Sequence, residues 1–279
     1  MTTITIVTPC RNAADRLRDT LVSLHAQHAV AAGKCRLEHI VVDGASTDRT
    51  GSVVGEFPET IYTSEPDRGM YDALAKGLQR ASGSIVGYLN AGDILFPRAF
   101  DVLLEIFRKP GVHWATGYST LINSLGQVTA TWKPPRYRRE FVLNGFYASP
   151  RYPHGIQQES TFWSSELNSR IDFKKLPEFR LAGDYFLWTQ FARTAELHSV
   201  MTQLGAFLVH EGQLSEHMKD YTAEAGLCLR EPSAKEKFTA WWETRCNTAL
   251  RGSFWKFTLG QSPARIYDFN HRTQMWEAK

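Results

Sequence analysis

Three short apolar runs in the first third of the chain each break off into polar residues, and this repeat constrains the fold more than any other feature. Ile4-Thr5-Ile6-Val7 leads into Thr8-Pro9-Cys10-Arg11-Asn12, His39-Ile40-Val41-Val42 into Asp43-Gly44-Ala45-Ser46-Thr47-Asp48, and Ile85-Val86-Gly87-Tyr88-Leu89 into Asn90-Ala91-Gly92-Asp93. Short apolar runs bounded by turn residues read as buried strands. Polar residues gathered at the carboxyl ends of such strands line a ligand crevice in an open α/β sheet. Between the runs, Leu17, Leu21 and Leu24 recur at helical spacing, with Asn12 or Asp15 placed to cap, and Val53, Val54 and Phe57 mark a second helix after Ser46-Thr47-Asp48. The β-α-β-α order predicts a parallel sheet covered by helices.

Further along, Ile61-Tyr62 is a weaker strand leading to Asp67-Arg68-Gly69, after which Met70, Ala73, Leu74, Gly77, Leu78 and Ala81 form one face of a third helix. Gly83 is suited to a left-handed cap on that helix. Pro97 fits the first turn of a fourth helix burying Phe100, Leu103, Leu104 and Phe107. From residue 111 the rhythm changes. Residues 113–118 and 127–132 read as a hairpin around Asn123-Ser124-Leu125-Gly126, and 133–157 as a long irregular, functional loop. Thr161-Phe162-Trp163 reads as a strand, Asp184 opens a helix through Ala195, and Ser199 to Val209 reads as strand. Beyond about residue 216 the pattern is helical and carries Trp241, Trp242, Phe254 and Trp255.

A chain of 279 residues can bury one large core, or one main domain with an appendage. Its net charge of +3 is too small to imply nucleic-acid binding. No apolar run approaches the roughly 18–20 residues that span a bilayer. Met1-Thr2-Thr3 passes straight into a strand without a signal-peptide pattern. Cys10, Cys35, Cys228 and Cys246 lack metal-ligand spacing and read as free thiols of a reducing cytosol. The expected location is therefore cytoplasmic.

Neither glycine-rich phosphate fingerprint is present, so a ligand in this crevice is held by other means. Asp43 at a strand end can accept from the imide of a pyrimidine ring or from a ribose hydroxyl, or it can be a turn residue. Asp93 appears where the third run leaves the core; it suits a hard divalent cation, or it closes a simple turn. Asp184, taken alone, is a helix N-cap. His210 at a strand end is either a buried structural histidine or a metal ligand.

Taken together, Val7-Thr8-Pro9 with Asn12, Val42 to Asp48, Ser64 to Ala73 with Lys76-Gly77, and Gly87-Tyr88-Leu89-Asn90 with Asp93 resemble the family-2 glycosyltransferases of the GT-A fold. The likeness continues through Gln158 to Trp163, Ala182-Gly183-Asp184-Tyr185 and His210 to Ser215, covering residues 4 to 215. It implies a Rossmann-like α/β fold with a mostly parallel central sheet flanked by helices. A catalytic domain over 1–215 would divide into a nucleotide-sugar half, 1–110, and an acceptor half, 111–215. A helical extension over 216–279 would follow. The implied reaction is inverting transfer of a sugar from a nucleoside diphosphate, UDP or dTDP, to a hydroxyl of a saccharide or lipid-linked acceptor.

By that resemblance Thr8, Pro9, Asp43 and Asp67 surround base and ribose, with Arg11, Arg68, Asn90 and Ala91 completing the donor site. Asp93 binds Mg2+ or Mn2+, His210 is a second ligand, and Asp184 is the base. Gln158 and Glu159 line the acceptor side, and Trp163 either offers a stacking face to a sugar or belongs to the core. Two departures stand out: Asn90, Ala91 and Gly92 leave a single carboxylate in the strand-end motif, and Ala75 replaces an asparagine common before the helix lysine. Arg68 and the loop from Lys133 to Arg139 are candidates to take up leaving-group charge or an acceptor phosphate. His154 is a polar loop residue with no assigned role. The C-terminal aromatics, interleaved with Arg245, Arg251 and Lys256, either pack on the catalytic domain, form a homodimer contact or rest on an anionic membrane surface at its inner face. Rival readings are a noncatalytic sugar-nucleotide-binding protein and a nucleotidyltransferase, the second disfavoured because no glycine-rich basic loop follows the first strand.

Overall fold

The computed structural model describes residues 1–149, 155–210, 213, 217–249 and 262–279, with side chains of the last helix described to residue 242. Thirteen strands are present among the described residues. In chain order they are β1 Thr2–Cys10, β2 Cys35–Asp43, β3 Ile61–Ser64, β4 Ile85–Tyr88, β5 Ile94–Leu95, β6 Trp114–Thr116, β7 Ser119–Ile122, β8 Val128–Trp132, β9 Thr161–Ser164, β10 Leu197–Val200, β11 Gly205–Leu208, β12 Ile266–Asn270 and β13 Met275–Ala278. Nine form the central sheet in the order β13-β12-β10-β6-β9-β4-β1-β2-β3, and β5-β11-β7-β8 form a smaller one. The pairs β1·β2, β1·β4, β2·β3, β6·β10 and β10·β12 are parallel, while β9 runs antiparallel between β4 and β6. The mostly parallel, helix-flanked sheet expected from the sequence is thus observed.

The three opening runs are β1, β2 and β4, side by side, so their polar ends converge on one edge. β1 and β4 are buried on both faces, as the continuous apolar runs require. Helix Ala14–His25 buries Leu17, Leu21 and Leu24. Its first turn is satisfied from across the crevice, by Thr50 Oγ1 on the Ala13 N–H at 2.9 Å and Asp48 Oδ2 on the Ala14 N–H at 3.1 Å, rather than by Asn12 or Asp15. Helix Met70–Arg80 buries Tyr71, Ala73, Leu74, Ala75, Gly77 and Leu78. It ends at Ala81 without a left-handed residue. Gly83 instead admits β1, because a Cβ there would lie 2.8 Å from the Thr3 carbonyl oxygen.

The second half differs from its sequence pattern in three places. The hairpin partner of β8 is β7, not the 113–118 segment, whose core becomes β6 in the central sheet. The single strand expected over 199–209 is two strands in different sheets, β10 and β11. Helices Met218–Ala225 and Ala234–Ala249 meet the helical expectation beyond residue 216, but the chain then returns as the ribbon β12–β13 and adds two strands to the central sheet. The largest apolar cluster is aromatic, with Trp114, Trp163, Trp188 and Phe191 stacked edge and face at 5.2 to 6.0 Å. This cluster forms a rigid floor that packs β6 and β9 against helix Gly183–Ala192.

Candidate functional site

Asp43, the last residue of β2, is 1% exposed and saturated with hydrogen bonds. Its carboxylate accepts from the Ser46 N–H and hydroxyl, from Tyr62 Oη at 2.8 Å and from Ser64 Oγ at 2.7 Å. Burial alone would raise its pKa, but these donors outweigh it and hold Asp43 below the usual carboxylate range. A base or ribose therefore reaches Asp43 only by exchanging with Tyr62 or Ser64. Neither residue was singled out from sequence as a partner of this carboxylate, since β3 carries no strong pattern. Asp67 converges on the same corner, its carboxylate lying against Gly44, where any Cβ would collide with it. Asp67 Oδ1 also accepts from the Gly69 N–H at 2.9 Å.

Thr8 and Pro9 differ from the sequence expectation. Both are buried, and the Thr8 hydroxyl turns inward to His39 Nε2 at 3.0 Å. What they can offer a ligand is backbone at the end of β1. Arg11 is exposed at the crevice mouth, and Arg68 is exposed and paired with Asp72 at 3.0 Å. Cys10 is no nucleophile here: burial, with the charges of Asp43, Asp48 and Asp67, pushes its thiol up to about 12.

At the end of β4, Asn90 and Ala91 are partly exposed and Asp93 is 3% exposed. Asp93 Oδ1 accepts from the Leu208 N–H at 3.0 Å, and Oδ2 is enclosed without a protein hydrogen-bond partner. Burial pushes this carboxyl up to about 7. Glu159, 1% exposed with Oε1 also unpartnered, is raised well above its ordinary value, first by burial and next by the Asp93 charge, with Asp184 contributing. Three carboxylates of the sequence-derived set therefore share one electrostatic neighbourhood. Gln158 ties the group together, its amide donating to the Tyr88 carbonyl at 2.6 Å and its oxygen accepting from Asn90 Nδ2 at 3.0 Å.

The two residues expected to hold a metal stand differently. The unpartnered Asp93 Oδ2 fits a cation ligand, whereas His210 does not stand free to join it. The His210 ring nitrogens lie 2.9 and 3.2 Å from Arg16 Nη1, so the imidazole faces a guanidinium. Among the described residues no three His, Cys, Asp or Glu side chains form a ready-made metal cluster. A divalent ion held here would take its remaining ligands from a diphosphate and water. Arg16 escaped the sequence reading because it sits on the exposed side of a helical repeat. Only folding lays its stem beside Gly92, with Arg16 Cβ 3.5 Å from where a side chain would begin.

Asp184 stands in the first turn of helix Gly183–Ala192 and is partly buried. The Tyr185 N–H donates to Oδ1 at 2.7 Å, and the Tyr221 hydroxyl lies 3.1 and 3.2 Å from the two carboxylate oxygens. Burial pushes the carboxyl up to about 6 against these donors. Gly183 is obligatory, since a Cβ would fall 2.5 Å from the Tyr71 ring. Glu224 fastens the preceding turn, accepting from the N–H groups of Arg180, Leu181 and Ala182 at 2.8, 2.6 and 2.6 Å. Tyr221 and Glu224 both come from the segment read as an extension, and sequence reasoning missed both.

Two expected contacts are corrected. Trp163 is fully buried in the aromatic floor, its indole N–H bonded to Asn168 at 3.3 Å, and so presents no face to an acceptor. The basic loop is engaged elsewhere, Arg136 with the Lys279 carbonyl at 2.7 Å, Arg138 near Glu140 at 3.7 Å and Arg139 near Glu196 at 3.6 Å. His154, residues 214 and 215, Arg251, Phe254, Trp255, Lys256 and Phe257 lie outside the described residues, as does the Arg245 side chain.

Residues 5–159 match the family model for glycosyl transferase family 2. An uncharacterized glycosyltransferase of Mycobacterium tuberculosis is 38% identical over 93 residues, so the match spans 33% of this chain and about a third, 34%, of that relative. Among solved structures, S. aureus TarS in complex with UDP superposes with a TM-score of 0.60 at 14% identity, covering 89% of this chain and 72% of that one. A mannosyltransferase from Pyrobaculum calidifontis in complex with GDP-Man and Mn2+ gives 0.55 at 18% identity, covering 88% and 70%. At these identities the structures establish the fold alone.

Proposed function

The chain belongs to glycosyl transferase family 2, and on that premise we propose that it transfers a sugar with inversion from a nucleoside diphosphate, UDP or dTDP, to a hydroxyl of a saccharide or lipid-linked acceptor. The observation that supports this reading is the set of buried carboxylates behind the strand ends, Asp43, Asp93 and Glu159, with Asp93 Oδ2 and Glu159 Oε1 left without hydrogen-bond partners. One acid suits the diphosphate side and another the acceptor side of a single site.

In this mechanism Asp184 takes the acceptor proton as the acceptor oxygen attacks the anomeric carbon from the face opposite the diphosphate. The anomeric C–O bond breaks, the nucleoside diphosphate leaves with the bonding pair, and configuration inverts. A carboxyl held at about 6 is mostly ionised at neutral pH yet more basic than an ordinary aspartate, which suits a general base. A divalent cation, when bound, screens the leaving charge, and Asp93 Oδ2 is the protein oxygen suited to hold it. The Mn2+ in the complex of the Pyrobaculum protein supports a divalent metal in such a reaction. Arg16 adds fixed positive charge beside the same turn. Asp43 and Asp67 serve the nucleoside, and Gln158 and Glu159 the acceptor side. The halves 1–110 and 111–215 keep their donor and acceptor roles, with the later chain supplying parts of the base site.

No helix among the described residues is long and apolar enough to cross a membrane. Phe238, Trp241 and Trp242 are 53%, 49% and 37% exposed on helix Ala234–Ala249 beside the exposed Lys235 and Lys237, which supports a peripheral contact of a cytoplasmic enzyme with an anionic surface carrying its acceptor. Thermal-shift titration against UDP-, dTDP-, GDP- and CMP-sugars, with and without Mn2+, tests the donor assignment. A uridine or thymidine donor is expected to give the largest shift, enlarged by metal; no shift with any of them overturns it. Asp184→Asn should then keep donor binding and lose transfer.

A further inference from the structure

The assignment of Asp184 as base leaves unexplained why a helix beyond residue 216 folds back over it. Helix Met218–Ala225 places two side chains at this corner. Glu224 locks the backbone from Arg180 to Ala182, and Tyr221 reaches the carboxylate itself. The phenol hydroxyl is nearly equidistant from both Asp184 oxygens, at 3.1 and 3.2 Å, so it faces the carboxylate end-on. We propose that Tyr221 is a positioning residue for the transfer reaction: its hydroxyl fixes the rotation of the Asp184 carboxylate and stabilises its anion, so that the base is assembled only when helix 218–225 is docked.

Several features agree with that role. Tyr221 is packed against the main apolar cluster, which restricts its ring. Burial, followed by the Asp184 charge, raises its phenol well above the ordinary value, so it remains a donor at every pH where Asp184 titrates. Among the described residues, the other ionisable groups that bear on Asp184 oppose its ionisation or are neutral there. Glu224 on the same helix raises it, Glu159 couples to it as a like charge, and Tyr71, Tyr88, Tyr185 and Cys228 face it as groups whose own ionisation its charge opposes. Tyr71 spends its proton on the Leu181 carbonyl at 2.9 Å and Tyr185 on the Val142 carbonyl at 2.9 Å. Among the described residues, the carboxylate accepts from the local Tyr185 N–H and, from a distant part of the chain, from the Tyr221 hydroxyl.

A hydrogen bond to the charged form of an acid lowers its pKa. Removing the hydroxyl should therefore leave Asp184 harder to ionise, which a purely structural role for Tyr221 would not do. The proposal rests on Asp184 being the base, and the two can fail separately. The full-length protein labelled with 13C at aspartate side-chain carboxyls is titrated by NMR, with the Asp184 signal identified by its loss in Asp184→Asn. The wild-type midpoint is expected near 6. Tyr221→Phe should move it upward by about one unit, a tenfold change in the ionisation constant. Replacing Tyr221 by 3-fluorotyrosine keeps the ring, strengthens the donor and should move the midpoint downward, which also decides the matter if Tyr221→Phe fails to fold. Unchanged midpoints in the variants that fold overturn the role of Tyr221. Retained transfer by Asp184→Asn overturns the base assignment instead, whatever the midpoints do.

Discussion

Replacing Asp184 by asparagine should make the protein more stable while abolishing transfer. The amide has the carboxylate's shape and its oxygen can keep the Tyr185 N–H and Tyr221 hydroxyl, so no packing is lost. The folded-state carboxyl sits at about 6 against an ordinary 3.8. Folded protein therefore binds the proton more tightly than unfolded chain, so ionisation costs stability. That cost is absent below pH 3.8, grows between 3.8 and 6, and is complete above 6. A gap of about two units at about 1.36 kcal/mol per unit gives an upper bound of about 3 kcal/mol at pH 8, falling to about 1.6 kcal/mol at pH 5. Partial solvent contact places the measured gain somewhat lower. Urea unfolding at pH 8 and pH 5 reads the difference, and a transfer assay with the donor found by thermal shift should show a loss of about 10²- to 10⁴-fold. An asparagine variant with wild-type stability at both pH values, or with retained transfer, refutes the reasoning.

Other perturbations test the surrounding parts. His39 is fully buried beside His25 and is held down to about 3, by burial first and then by the His25 charge, so the stability it permits at neutral pH is lost as pH falls from 6.5 toward 3. Wild type should lose roughly 2.5–3 kcal/mol between pH 7.5 and 4.5 that His39→Gln does not, as read by urea melts. Gly183→Ala drives a methyl into the Tyr71 ring and should cost about 1–3 kcal/mol in thermal unfolding; a neutral outcome would mean that the turn before Asp184 yields freely. Arg16→Ala should weaken UDP binding at least tenfold in calorimetry with EDTA present, and unaltered affinity removes Arg16 from the diphosphate site.

Residues 1–110 were legible because their signals are local. Each of β1, β2 and β4 is a single apolar run with its polar residues directly behind it, so strand, crevice edge and candidate residue are read from one stretch. The orientation of side chains at those ends was not legible. Thr8 turns inward because an uncharged His39 needs a hydrogen-bond partner in the core, and Asp43 is enclosed because Tyr62 and Ser64 arrive from β3, about twenty residues later. In residues 111–215 the same strand pattern serves two sheets, and nothing in the alternation at 113–132 or 199–209 says which sheet a strand joins. Trp163 shows the same limit: an alternating strand gives a tryptophan's face, while only the packed Trp114, Trp188 and Phe191 say that the face is sealed.

The family match ends at residue 159, whereas the groups that hydrogen-bond the Asp184 carboxylate, the Tyr185 N–H and the Tyr221 hydroxyl, and the Glu224 that fastens its turn lie beyond it. This division has a physical basis. On the proposed function a nucleoside diphosphate is held by polar residues directly behind each strand, which one stretch of sequence can supply. The proposed base needs a donor and a fixed turn, and any element of the chain able to reach it can provide them. Here helix Met218–Ala225 delivers Tyr221 and Glu224, and the chain then returns through β12 to pair with β10, which carries the sheet past β6. The later chain therefore holds Asp184 in place, and shortening the protein after residue 215 should leave the edge of β1, β2 and β4 largely intact while removing the hydroxyl donor and the turn anchor at Asp184.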